Sequence, residues 1–200
     1  MINQYIAPFN KRSGQTLLLS VIVMSMISGQ SFLKNPSFEG EAADATTPDD
    51  WMVCLSRSTP DILPGPWGVE IEAEDGETYV GLITREDGST EHITQRIRPG
   101  LKRGQCYEFG VRLAHSDIYA GYTEPIQLRI WIGDKKCKRT QMIFDSPLID
   151  NEEWRTFPLE FVPDQKAKYL FIEAIYPQTK ENIKGNILID HLQLKICNRA

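Results

Sequence analysis

From residue 32 onward, apolar and polar positions recur with a period of two rather than 3.6, in short runs separated by turn residues. In "QCYEFGVRLAHS" (Gln105 to Ser116), Tyr107, Phe109, Val111 and Leu113 fall on one side and Glu108, Gly110, Arg112 and Ala114 on the other. That alternation predicts a strand with one face in a core. "EPIQLRIWIGD" (Glu124 to Asp134) repeats it, with Ile126, Leu128, Ile130 and Ile132 inward and Gln127, Arg129 and Trp131 outward. "EHITQRIRP" (Glu91 to Pro99) places Ile93, Gln95 and Ile97 together. Further strands are predicted at Glu77 to Glu86, Glu153 to Pro163, Lys168 to Pro177 and Gly185 to Cys197, with two earlier ones around Phe38 and at Trp51 to Leu55. Eight or nine strands and almost no helical periodicity predict an all-β fold, a jelly-roll β-sandwich of two antiparallel sheets.

The N-terminal pattern is different. Lys11 and Arg12 precede the apolar run "TLLLSVIVMSMI" (Thr16 to Ile27), which is short for a bilayer span and is followed by the small residues "SGQS". This is the layout of an export signal with cleavage after Ser31, leaving residues 32–200 as one domain with no membrane span. Left uncleaved, the same run would be an anchor. Export places the protein in the periplasm, on the cell surface or outside the cell, and makes Cys54, Cys106, Cys137 and Cys197 two disulfides. If the runs 106–116 and 125–137 form a hairpin, Cys106 and Cys137 meet at its open end and Cys54 is left for Cys197.

Composition then narrows the function classes. A hydrophobic fraction of 41% is that of an ordinary globular chain. A net charge of −5, with no basic block in the sequence, argues against nucleic acid as partner.

Five segments, "NPSFEG", "TPDDW", "DGETYVGL", "GQCYEFGVRL" and "GNILIDHLQL", together resemble the galactose-binding-like β-sandwich. The chain is most similar to carbohydrate-binding modules of families 4 and 9 and to related modules of bacterial envelope proteins, from about Phe32 to Leu194. The resemblance implies a structural calcium near the first and last strands, with Glu39 and Asp190 at the positions that supply oxygens. Calcium takes six to eight hard oxygens, and an otherwise unpaired Asp190 among leucines would be costly. Glu39 as a solvated acid, with Asp190 accepting from loop amides, is the alternative.

Sugar recognition needs aromatic platforms and polar neighbours. The outward face offers Trp131 with Arg129 and Gln127, and Arg112 and Glu108 from the strand taken as its neighbour. A second candidate lies in the loops, where Trp67 stands in "PGPWG" and Tyr119 and Tyr122 in "DIYAGYTE". Trp67 as a loop anchor, and Trp51 and Trp154 as lids on the core, are the structural readings. Catalysis is disfavoured: His92, His115 and His191 lack metal-ligand spacing, and "HSD" at His115 to Asp117 has no nucleophile elbow. The expectation is an exported, non-catalytic module that binds a glycan, or alternatively an envelope component that binds another protein through the same surface.

Overall fold

The computed structural model describes residues 31–198. The predicted export segment lies outside the described residues, apart from Ser31. Ten strands form two sheets. They are β1 (Asp61–Leu63), β2 (Tyr79–Thr84), β3 (His92–Leu101), β4 (Tyr107–Ala114), β5 (Glu124–Pro125), β6 (Gln127–Gly133), β7 (Gln141–Asp145), β8 (Arg155–Phe161), β9 (Ala167–Ile175) and β10 (Gly185–Ile196). The back sheet runs β1-β2-β10-β4-β8, with β5 beside β10, and the front sheet runs β3-β9-β6-β7. All pairings are antiparallel except the two-residue β5–β10 contact.

The inward residues read from the alternation are the core. Tyr107, Phe109, Val111 and Leu113 of β4 face Leu128, Ile130 and Ile132 of β6, with Ile93, Ile97, Leu170, Ile172, Ile187 and Ile189 around them. Full burial of one such side chain contributes about 1.5–3 kcal/mol.

The expected strand at Phe38 is instead an ordered turn, and of Trp51–Leu55 only Met52 pairs, bridging Thr94 of β3 in antiparallel sense. Asn35 Nδ2 donates to Glu39 O at 2.9 Å while its Oδ1 accepts from Glu39 N at 2.8 Å. The side chain thus imitates a strand partner and closes the "NPSFE" turn locally. Phe38, at φ 57, drops into the core against Trp51, ring centroids 4.9 Å apart. Leu192 N donates to Pro36 O at 2.9 Å, so the opening segment does lie beside the last strand.

The disulfides correct the predicted pairing: Cys54 joins Cys137 and Cys106 joins Cys197. The predicted hairpin does not exist, because the chain crosses to the other sheet between β4 and β6. β4 pairs with β10 in the register Tyr107↔Ile196, which sets Cys106 opposite Cys197.

Each sheet also carries a partial roof on its outer face. Over the front sheet, the Cys54–Cys137 bridge ties the segment beside β3 to the β6–β7 connection. Beneath it His92 and Phe171 stack at 4.9 Å, Cys54 N donates to His92 Nε2 at 3.0 Å, and Arg139 sits 4.1 Å from the centre of the Phe171 ring. Outward residues His92, Thr94, Phe171 and Glu173 are therefore buried. Over the back sheet, residues 64–76 pack a second small core of Leu63, Val69, Tyr79, Ile83, Ala114, Tyr119 and Leu188.

Candidate functional site

The structure divides the predicted site residues among three places. Trp131, Arg129 and Gln127 share the outer face of β6, as the alternation required. Arg112 and Glu108 do not join them. They lie on β4, on the opposite outer face of the sandwich, where Arg112 pairs with Glu74 at 3.1 Å and Glu108 with Lys195 at 2.7 Å. Tyr119 is buried, its hydroxyl donating to Asp61 at 2.6 Å, and so is a structural residue. Tyr122 is half-buried beneath Lys184, 5.8 Å from its ring. Trp67 is 48% exposed at φ 59, a backbone region unusual for a bulky residue, and it lines a shallow recess with Pro66, Ala43 and Asp44.

The Trp131 side is the better-built surface. The roof covers the β3–β9 half of the front sheet and leaves the β6–β7 half open. Trp131 is half-buried there, and its indole N–H donates to Glu173 Oε1 at 2.7 Å. Arg139 holds the other oxygen of Glu173 at 2.6 Å. The indole is thereby locked in plane by a charge-assisted chain, which removes the rotamer entropy a ligand would otherwise have to quench. Arg129 forms a two-point contact with Asp145, at 3.0 and 3.2 Å, and Gln127 Nε2 donates to Ser146 O at 2.6 Å. Glu173 and Arg139 were missed by sequence reasoning. Glu173 lies outward on β9 opposite Arg129, and only the β6–β9 register brings it to Trp131.

Glu39 and Asp190 also converge, but on backbone amides. Asp190 is fully buried and accepts from Glu74 N at 2.9 Å, Asp75 N at 3.0 Å and His191 N at 2.6 Å. Burial pushes its carboxyl up to about 6, against the pull of those three N–H groups. Glu39 accepts from Glu77 N at 3.1 Å with both oxygens. The two acids grip opposite ends of the Glu74–Thr78 turn. A cation between them would face amide hydrogens where calcium requires oxygens, so this donor set does not fit a shared calcium. Excess EDTA is expected to leave the melting temperature unchanged in a thermal scan. A fall of several degrees, reversed by calcium, would restore the metal reading. Among the described residues, the one cluster of three potential ligands is Cys106, Glu160 and Cys197, and its sulfurs are spent in the disulfide.

Catalytic geometry is not assembled at "HSD". His115 is buried, with Nε2 against Thr123 O at 3.1 Å, and Ser116 Oγ donates to Ile118 O at 2.6 Å rather than to the imidazole. Asp117 is hydrogen-bonded to Glu152, and that bond, followed by the Asp117 charge, raises the Glu152 pKa.

No family model and no curated protein matches the sequence. Solved structures do. The CBM22-1 xylan-binding domain of Paenibacillus barcinonensis Xyn10C aligns over 82% of this chain and 93% of its own, at 15% identity and TM-score 0.54. The tandem CBM22-1–CBM22-2 domain of the same protein aligns over 86% of this chain and 47% of its own, at 14% identity and TM-score 0.57. The K2 cleaved adhesin domain of Lys-gingipain aligns over 80% of this chain and 96% of its own, at 12% identity and TM-score 0.53. These likenesses are of fold: the chain is a two-sheet antiparallel β-sandwich like those of the carbohydrate-binding and adhesin domains it aligns with.

Proposed function

We propose that this chain is an exported, non-catalytic carbohydrate-binding protein that takes a glycan on the open β6–β7 half of the front sheet. The observation that carries the reading is Trp131, an outward aromatic fixed in plane by Glu173 and Arg139 and flanked by Arg129 and Gln127. A pre-oriented indole offers its face to the apolar side of a sugar ring, and the neighbouring amide and guanidinium reach hydroxyls. Similarity to a xylan-binding domain supports the class of ligand without naming the sugar. Two disulfides support export, since such bonds persist outside the cytosol.

Calorimetric titration of the mature domain against a panel of soluble plant and bacterial glycans tests this. Trp131→Ala is expected to weaken the best ligand at least about tenfold, the loss of about 1.4 kcal/mol or more typical of a central aromatic contact. Its melting temperature should stay near that of the wild type, because Trp131 is outside the core. If no glycan binds and an envelope protein co-purifies in stoichiometric amount, the alternative role as an envelope component is the correct one.

A further inference from the structure

The β3–β9 half of the front sheet ends in a feature that the sequence conceals by distributing it over four segments. A recess of about 230 Å³ there is lined by Lys34, Asp50, Arg96, Arg98, Lys136 and Tyr169, among others. Arg96 and Tyr169 are direct cross-strand partners. Lys136 is brought in by the β6–β7 connection. Gly133 lets that connection fold back, since a Cβ there would meet Lys138 O at 1.9 Å, and the adjacent Cys137 is bolted to Cys54. Lys34 is held by its backbone, with its N donating to Gln95 Oε1 at 2.9 Å and its O accepting from Gln95 Nε2 at 2.7 Å.

The charges do not cancel. Lys34 is matched by Asp50 at 3.1 Å. Arg96, Arg98 and Lys136 have no carboxylate within ion-pair distance among the described residues, whereas most other arginines of the front sheet and its connections do, Arg129 and Arg139 included. The paired register Leu101↔Ala167 places Lys102, Arg103 and Lys166 in the adjoining turns and Lys168 at the start of β9, again without ion pairs among the described residues. A chain of net charge −5 thus concentrates positive charge at one end of one sheet. Tyr169 faces the same side as Trp131, as the diagonal neighbour across β6 and β9, a spacing of about 7–8 Å.

We infer that this recess binds the anionic group of an acidic glycan, a carboxylate or sulfate carried on the sugar. Guanidinium groups match such oxyanions in two-point geometry, and Tyr169 supplies a ring face beside them. The negative charge of the rest of the molecule opposes indiscriminate polyanion binding, so the fixed recess has to supply the attraction. The inference rests on the glycan-binding reading and specifies the ligand's charge.

Affinity electrophoresis and titration with polygalacturonate, its fully methyl-esterified form, dextran sulfate and neutral xylan test it, using wild type and Arg96→Gln/Arg98→Gln. The expected result is at least tenfold stronger binding to polygalacturonate or dextran sulfate than to the ester and xylan. The stronger of the two polyanions identifies the group. That preference should weaken with added salt and be lost in the double variant, whose melting temperature should match the wild type because both side chains are exposed. Equal binding to the ester and to polygalacturonate would overturn the anionic inference and leave glycan binding standing. Polyanion binding retained by the double variant would overturn the assigned recess. Binding to no polymer would remove both readings.

Discussion

Glu91→Ala is expected to cost about 3–5 kcal/mol of stability, the usual penalty for leaving a buried charge or its donors without a partner. Glu91 is fully buried at the edge between the two sheets. Its carboxylate accepts from Thr59 Oγ1 at 2.9 Å, Thr59 N at 3.2 Å and Ile83 N at 3.1 Å, and it pairs with Arg85. Truncation strands the buried Ile83 amide and opens a cavity. For a domain of this size the melting temperature should fall by about 10 °C. The pH dependence identifies the cause. Burial pushes the carboxyl up to about 7, more than Arg85 and Thr59 pull it down. An acid whose folded pKa is raised binds its proton more tightly when folded, so its contribution is present below about 4.5 and is lost as pH rises to about 7. The stability gap between wild type and Glu91→Gln should therefore narrow from pH 4.5 to 7. His92 works in the opposite sense, since burial lowers its pKa to about 4 and the stability tied to its neutral form is lost as pH falls from 6.5 through 4. The variant comparison separates the two. A gap that stays constant across this range would show that Glu91 is ionised in the folded protein throughout.

The strands were legible because a half-buried strand must alternate, and β4 and β6 do so along their whole length. The sandwich class followed from that alternation, and the five segments from "NPSFEG" to "GNILIDHLQL" carried only the resemblance to a fold family. What escaped is what alternation cannot carry. The period of β10 resets at a bulge between Asp190 and Gln193, with His191 at φ 46. Ile187 and Ile189 face the core before it and Leu192 after it, so Asp190 looks outward under the roof with Leu188, not into the core with Leu192. Sheet assignment was equally hidden. A connection between consecutive strands reads alike whether it turns a hairpin or crosses the sandwich, and that ambiguity misplaced both disulfides and added Arg112 and Glu108 to the wrong face. The roofs bury outward residues that a two-layer picture leaves exposed. The basic recess had a partial linear trace, which the reading of no basic block passed over: "RIRPGLKR" carries four cations and no acid from Arg96 to Arg103.

The Cys54–Cys137 bridge should be the point where stability and recognition fail together. It closes a loop spanning 83 residues, and removing such a constraint costs about 4–5 kcal/mol through the entropy regained by the unfolded chain. Cys54→Ala/Cys137→Ala also unfastens the roof, and the consequences run along a chain of contacts. Arg139 follows two residues after Cys137, so loosening the connection frees the guanidinium from the Phe171 ring and from Glu173. Glu173 then has no fixed charge partner, and the indole it orients becomes free to rotate. Lys136 leaves the recess at the same time. Glycan affinity is accordingly expected to fall at least tenfold in the double variant at temperatures where it remains fully folded, without any change to Trp131, Arg96 or Arg98. The Cys106–Cys197 bridge is the control. It closes a loop of similar length, 91 residues, and fastens the far end of the back sheet. Cys106→Ala/Cys197→Ala should therefore lower the melting temperature by a comparable amount and leave affinity unchanged. Equal affinity losses in the two variants would mean that binding tracks global stability, and the roof would then have no separate part in holding Trp131.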